Sequence, residues 1–374
     1  MNAVHRIAHA VWASLPRRIR PYLLIEPLRL MLPKALNHSG EGQCCVVGFF
    51  SAPSGLGRGA RLFLREKNEQ GTETCAVDIT RLTMHAPGPA TEASRCALPP
   101  DALENGTGTV VVHANPPAFM AALWAVRRLL RGKRVVAYWA WELEDIPHYW
   151  TRCLDFVDEV LVPGSFVAEA VRKHTNKPVR THPHADFPPA RPRQRAGKRP
   201  FTVLSCFDCG ANFYRKNPLA AVAAFKTAFG DDPNALLVLK AGNMERCPEG
   251  RRLLAKAADG PNIRFCLGNF SESGVDELYA EADVYLSLHR SEGYGLTIRE
   301  AMSRGLPVIA TGWSGNMDFM RGAGVHPVPY TLVPVDDPQG MYNLPGARWA
   351  EPDIEAAADM LRLTASAIRG KACS

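Results

Sequence analysis

The chain has 374 residues, and at roughly 100–200 residues per domain that length predicts two domains. Its 46% apolar, 22% charged and 8% aromatic content excludes a disordered, collagenous or coiled-coil chain. No stretch approaches the roughly 18–20 uninterrupted apolar residues of a spanning helix, and the net charge of +7 suits phosphates, nucleic acid or an anionic membrane surface.

In the first forty residues Ile7, Val11, Trp12 and Leu15 recur at helical spacing. Arg17, Arg18 and Arg20 follow, then a second apolar run from Tyr22 to Leu32. Pro16 and the arginines break the apolar core that a secretory signal needs, so the segment is expected to remain on the protein. Two readings stay open for this basic amphipathic segment: an interfacial helix on anionic lipid, or an extra helix pair packed on the first domain.

From Cys44 short apolar runs alternate with longer amphipathic ones. Strands are expected at about 44–50, 75–79, 109–113, 134–141, 158–162 and 178–182, with helices at about 57–69, 116–131 and 164–174. Residues 187–200 hold four prolines and five basic side chains, the composition of an interdomain linker. The alternation restarts with strands at about 201–207, 235–240, 262–266, 283–288 and 307–310 and helices at about 216–229, 249–258, 273–281 and 296–304. An irregular stretch, 333–349, then leads to a last helix at about 353–369. Such patterning predicts an α/β protein: two doubly wound, Rossmann-like domains, 41–186 and 201–350, with a ligand cleft at the carboxyl ends of the strands. Residues 351–374 are expected to return to the first domain.

Ten cysteines show no disulfide or zinc framework; several sit in apolar runs and are read as buried reduced thiols of a cytoplasmic chain. Cys206 and Cys209 have CxxC spacing without a second ligand pair, so no metal is expected.

Three constellations carry chemistry. Gly55, Gly57 and Ala60 form a GxGxxA turn after the first strand, with Asp78 near the offset of a ribose-binding acid, which raises a nicotinamide-dependent oxidoreductase as an alternative. Against it, Ser51 to Ser54 separate the strand from Gly55; the turn also serves an anionic or polyhydroxyl ligand in the cleft. At the ends of first-domain strands stand His113 and the pair Trp141, Glu142, candidates to face acceptor or sugar, each with a plain structural alternative. Trp139 and Trp141 share a face, and core packing accounts for at least one. The third follows the strand near residue 285. Glu292 lies in a strand-to-helix loop and Glu300 eight positions later, while the amides of Gly295, Leu296 and Thr297 open the helix toward an anion. Carboxylates accept paired hydrogen bonds from neighbouring sugar hydroxyls.

The run His289-Arg-Ser-Glu-Gly-Tyr-Gly-Leu-Thr-Ile-Arg-Glu-Ala-Met302, continued by Gly305 to Asn316, resembles the donor-site motif of retaining GT-B glycosyltransferases of family 4. The resemblance extends to Phe207-Asp208, Tyr214 to Pro218, Leu237 to Lys240, Trp139 to Glu144 and Asn343 to Pro352, and so over about residues 45–365. It implies that Glu300 binds the nucleotide ribose and Glu292 lies beside the transferred sugar. Lys216 takes the diphosphate lysine position, but Gly210 stands where an arginine is expected, leaving Arg215 or Lys240 to supply the second cation. Asp208 and Asn316 are further cleft-lining candidates, and Glu292, His113 and Lys216 are the expected catalytic set.

The implied activity is metal-independent, retaining hexosyl transfer without a cofactor, from a nucleotide sugar of the GDP-mannose type to a glycan or lipid-linked acceptor. Mannosyl- and rhamnosyltransferases of lipopolysaccharide, O-antigen or exopolysaccharide synthesis are the kind resembled, peripheral on a membrane through residues 1–40. Domain closure about the linker would exclude water. A GT-B sugar-nucleotide epimerase is the alternative within the same fold. Nucleic acid is not an expected partner, because arginine–aromatic clustering is lacking.

Overall fold

The computed structural model describes residues 15–16, 19–35, 38, 40–82, 92–95, 97–98, 107–185, 199–268 and 270–371. Two compact units divide the chain. The first comprises residues 1–140, 145–163 and 168–185; the second comprises 141–144, 164–167 and 186–374. Most of the expected linker, residues 187–198, lies outside the described residues.

The first unit is built on six parallel strands: β1 (Cys44–Gly48), β2 (Thr74–Asp78), β3 (Thr109–His113), β4 (Arg134–Tyr138), β5 (Glu159–Val162) and β6 (Val179–Thr181), in the order β2-β1-β3-β4-β5-β6. Near-continuous apolar runs such as Cys44-Cys45-Val46-Val47 form these strands because helices cover both faces of a parallel sheet. On one face Cys44, Val46, Ala76, Val111, Val136 and Tyr138 pack with Phe63 and Leu64 of the helix Gly55–Glu69. That helix starts at Ser54, whose Oγ accepts a hydrogen bond from the Gly57 amide at 3.1 Å. The helix expected at 116–131 is regular only over Ala118–Ala125, because the chain then tightens into three-residue turns, Leu129 N to Val126 O at 2.8 Å.

The N-terminal segment is helical over Arg20–Met31 and packs against the helix Ala118–Ala125, with Ile25 fully buried. Its other side stays open: Leu23, Leu24, Leu30 and Met31 are exposed. The repeat at Ile7, Val11 and Trp12 lies outside the described residues. Among the described residues no helix is long and apolar enough to cross a membrane.

The second unit has β7 (Phe201–Asp208), β8 (Ala235–Gly242), β9 (Ile263–Leu267), β10 (Val284–Ser287), β11 (Val308–Thr311) and β12 (Val325–Val328), all parallel, in the order β12-β11-β10-β7-β8-β9. Alternate strand residues feed two cores. Val203, Leu237, Leu239 and Leu286 face the helix Pro218–Phe229, while Leu204, Val238, Tyr285 and Val308 face the helices Glu272–Glu281 and Leu296–Ser303. Strand order reverses between β7 and β10, and that reversal leaves a crevice at their carboxyl ends.

One expectation is corrected. The stretch 333–349 is not irregular throughout: β13 (Tyr330–Pro334) pairs antiparallel with β14 (Arg348–Pro352). The last helix spans Ile354–Lys371 and packs within the second unit. Ala357, Leu361 and Ala365 complete the second unit's core, and Arg362 and Arg369 donate to the carbonyls of Thr227, Ala228 and Asn234. An apolar stripe at helical spacing docks on the nearest uncovered sheet face, here the one shared with the helix Pro218–Phe229.

Candidate active site

Two loops at the switch point of the second sheet carry the charged residues. After β7 the chain makes one helical turn, Phe213–Lys216, entered at Asn212 (φ +81°) and left at Asn217 (φ +50°). The Asn212 side chain accepts from the Arg215 amide at 2.9 Å and donates to both oxygens of Asp337 at 2.8 Å. Asp337 is itself buried and accepts the amides of Gln339, Met341 and Tyr342 at 2.9, 2.7 and 3.0 Å. One carboxylate therefore fixes both the Arg215–Lys216 turn and the loop carrying Tyr342.

After β10, His289 to Gly295 form the second loop. The Glu292 amide donates to Ser314 Oγ at 2.8 Å, and the Gly315 amide donates to Glu292 O at 2.9 Å. A side chain at Gly315 would bring a Cβ within 2.2 Å of the Gly293 carbonyl oxygen, so only glycine lets these two backbones approach. Gly295 has φ +93° and leads into the helix Leu296–Ser303.

These turns, with the segment 141–144 of the same unit, bring two carboxylates and two cations together. Lys216 Nζ hydrogen-bonds Glu292 Oε1, and Arg215 lies 3.3 Å from Glu292 Oε2 and 3.5 Å from Glu142 Oε1. Burial acts to raise the Glu292 pKa, but Lys216 and Arg215 outweigh it and hold the carboxyl at about 2. Glu142 moves the other way: burial raises its pKa, aided by the Glu292 charge and opposed chiefly by Arg215. Tyr342 OH donates to Glu142 Oε2 at 3.0 Å, and its ring packs on Trp141 at 5.3 Å.

The two cations differ in freedom. Arg215 is 2% exposed and donates to the carbonyls of Ser291 (2.6 Å) and Ala211 (2.9 Å), so it organises the site from beneath. Lys216 retains 15% exposure.

Glu300 is 4% exposed on the first turns of the helix Leu296–Ser303 and accepts from Tyr279 OH at 3.1 Å, while Thr297 O accepts the same hydroxyl at 3.1 Å. Leu296 and Thr297 open that helix and are half-buried. Asn316 is fully buried and donates to Thr311 O at 2.9 Å; Asp208 accepts from the Gly210 amide at 2.7 Å and from Asn243 Nδ2 at 2.8 Å. Asn316 thus bonds within its own turn, while Asp208 ties its turn to the end of β8. Lys240 stands on β8 opposite Cys206, with its ammonium 5.9 Å from the Phe270 ring centre, and it is not among the groups acting on Glu292. Of the two candidates for the second cation, the structure places Arg215 next to Lys216.

In the first unit His113 is 1% exposed, stacked on Tyr138 at 4.2 Å and 4.8 Å from the Phe63 ring. Burial and the neighbouring His184 and His182 hold it neutral, its pKa well below the usual histidine value. Trp139 is core, edge-on to Phe119 and Trp150. Gly55 begins its helix, and at Gly57 a Cβ would lie 2.5 Å from the carbonyl oxygens of Phe49 and Ala52, so close helix-to-turn packing requires that glycine. Asp78 is occupied by Ser51 and by Thr80, whose amide donates at 2.9 Å.

Sequence reasoning missed Tyr342, Asp337, Tyr279 and His289. His289 is fully buried next to Glu292, with neither ring nitrogen hydrogen-bonded, and burial lowers its pKa to about 3. The motif named it, but nothing in its spacing distinguished it from its neighbours. Among the described residues no group of three or more His, Cys, Asp or Glu is placed to hold a metal ion.

A family model described as "Family 4 Glycosyltransferase in conflict systems" matches residues 163–368. No curated protein matches the sequence. Among solved structures, a glycosyltransferase from Rickettsia africae aligns at TM-score 0.58 and 14% identity, over 89% of each chain. The Anabaena protein HepE, solved with UDP and glucose, aligns at TM-score 0.54 and 11% identity, over 88% of this chain and 91% of its own. The pneumococcal O-GlcNAc transferase GtfA, solved with UDP and GlcNAc, aligns at TM-score 0.50 and 19% identity over 71% of this chain. The chain spans about half of that protein's length, 51%. At these identities the likeness establishes the fold, GT-B with two Rossmann-like domains.

Proposed function

The chain belongs to the family 4 glycosyltransferases in conflict systems, and from that premise we propose that it moves a hexose from a nucleoside-diphosphate sugar to a hydroxyl acceptor with retention of configuration. The observation that carries this reading is the Glu292 carboxylate, held ionised by Lys216 and Arg215 at the carboxyl ends of β7 and β10. In transfer, the bond from the anomeric carbon to the phosphate oxygen breaks and a bond to the acceptor oxygen forms on the same face. The acceptor proton passes to the leaving phosphate.

Negative charge grows on that phosphate, and a cation aimed at it lowers the barrier. Lys216 is suited to this role because ligand entry lets its ammonium exchange part of its contact with Glu292 for phosphate. Glu292 then sits as an anion beside the sugar carbon, which gains positive character as the bond breaks. Glu300 meets the ribose, its alignment set by Tyr279. Arg215, paired also with Glu142, keeps Glu292 in place.

We take the acceptor to be a glycan or lipid-linked glycan, as in surface polysaccharide assembly, on the ground of the basic N-terminal segment with its exposed leucines. The donor base is left to experiment: the resemblance favours GDP, whereas the Anabaena and pneumococcal proteins were solved with UDP.

Calorimetric titration with UDP, GDP, dTDP and NAD tests the reading on the wild type, Glu300→Ala and Glu292→Gln. One nucleoside diphosphate should bind. Its affinity should fall at least tenfold in Glu300→Ala, the loss of about 1.4 kcal/mol expected for a charge-assisted hydrogen bond, and change less than tenfold in Glu292→Gln. With that donor, transfer by Glu292→Gln should fall on the order of a hundredfold or more, as when one electrostatic group is lost. Near-wild-type turnover would remove Glu292 from the mechanism, epimerised donor without acceptor would replace transfer by epimerisation, and binding of NAD alone would sink the reading.

A further inference from the structure

Cys45 and Cys75 are direct partners in the parallel register of β1 and β2. Side chains at paired positions leave the sheet on the same face, and strand neighbours about 4.8 Å apart fall inside the Cα separation of roughly 4.4–6.8 Å that a disulfide spans. Each thiol shifts the ionisation of the other. They are not equivalent: Cys45 is 1% exposed, whereas Cys75 is half-buried. Beside them lies Lys133, 4% exposed, its ammonium donating to Thr107 O at 3.1 Å.

We propose that Cys45 and Cys75 are a peroxide-reactive dithiol, with Cys75 the attacking sulfur and Cys45 the resolving one. The Cys75 thiolate attacks one oxygen of hydrogen peroxide; the O–O bond breaks, hydroxide leaves and takes up a proton, and Cys75 becomes a sulfenic acid. The Cys45 sulfur then attacks Cys75 Sγ, the S–O bond breaks, and a second water leaves with the Cys45 proton. In sum, two thiols are oxidised by two electrons, one peroxide is reduced to two waters, and one S–S bond joins the strands.

The surroundings support that division of roles. The Cys45 thiol lowers the Cys75 pKa, and Lys133 lowers it further against the opposing effects of burial and Glu73, so Cys75 is the thiol more readily ionised. Cys75, with burial, raises Cys45 and keeps its proton. Gln43 donates its amide nitrogen to Glu73 at 3.2 Å and its oxygen accepts from Cys75 Sγ at 3.8 Å, a bond that Cys75 gives up on ionising. Cys44 does not compete, since alternation sends it into the opposite core with Phe63.

The test is peptide mapping of the reduced full-length protein after stoichiometric hydrogen peroxide and alkylation. A Cys45–Cys75 link should appear first, two of the ten thiols should disappear, and dithiothreitol should restore them. Cys44→Ser should keep the link, and Cys45→Ser should stop at a Cys75 sulfenic acid that dimedone captures. Oxidation of other cysteines before this pair, or ten thiols surviving a peroxide dose that oxidises free glutathione, would overturn the proposal. The wild-type map decides even if a variant fails to fold.

Discussion

Glu292 and His289 stand three residues apart in one loop and are pushed to opposite charge states by the same burial. Burial penalises the charged form of each; Glu292 stays charged because Lys216 and Arg215 face it, while those cations press His289 further toward neutrality. The folded pKa of His289, about 3, lies below its ordinary 6.5. Below pH 6.5 the unfolded chain therefore binds a proton that the folded chain refuses. The stability tied to the neutral ring is present in full above pH 6.5 and drains away toward pH 3, at about 1.4 kcal/mol per pH unit. Replacing His289 with Gln removes that titration. The stability difference between wild type and variant, measured by urea unfolding, should shift by about 2 kcal/mol between pH 7.5 and pH 5, with the wild type losing more. An unchanged difference would mean that the ring is not held neutral. The spacing of Glu292 and Glu300 made both visible in the sequence, and Lys216 was legible through the motif. The state of His289 was not, because it depends on residues up to 74 positions away, Arg215 among them.

At the level of elements, the parallel strands were legible because each is a short apolar run and burial on both sheet faces demands such runs. The hairpin of β13 and β14 was not: its arms carry Pro334 and Pro352 at their ends and are separated by a loop with turn residues throughout. That loop matters to the site through Asp337, whose carboxylate collects Asn212 and three backbone amides. Asp337→Ala would leave buried donors without an acceptor, at about 1–3 kcal/mol for each that water cannot reach. A loss of about 3 kcal/mol in unfolding free energy is expected, together with nucleotide affinity that falls as Lys216 loses its fixed turn. Asp337→Asn keeps one acceptor oxygen and should recover part of both. If Asp337→Ala destabilised the fold but left nucleotide affinity unchanged, the knot would serve the hairpin alone and not the site.

Over the whole molecule, charge is unevenly spread. Residues 1–35 hold six basic side chains, Arg6, Arg17, Arg18, Arg20, Arg29 and Lys34, against the single acid Glu26, a net +5 of the chain's +7. In the same region Ile19, Leu23, Leu24, Leu30 and Met31 are five of the eleven exposed large apolar side chains among the described residues, and they follow one side of the helix whose other side buries Ile25. An exposed apolar stripe within a basic segment matches the boundary of an anionic bilayer, where apolar burial and attraction to lipid charge act together. The full chain should therefore sediment with vesicles containing phosphatidylglycerol and remain in solution with pure phosphatidylcholine. Binding should weaken as ionic strength rises from about 0.05 to 0.5 M, since screening shortens the reach of each charge. Leu23→Glu with Leu30→Glu should weaken binding by at least tenfold, because each substitution turns burial into the cost of placing a carboxylate at the interface. Both positions are exposed, so the fold should tolerate the change, and thermal unfolding would check this. Equal sedimentation of the double variant and the wild type would leave charge as the whole of the attraction and remove the helix stripe from it. No sedimentation with either lipid would assign the stripe to contacts within the protein, and the acceptor would then have to be a soluble glycan.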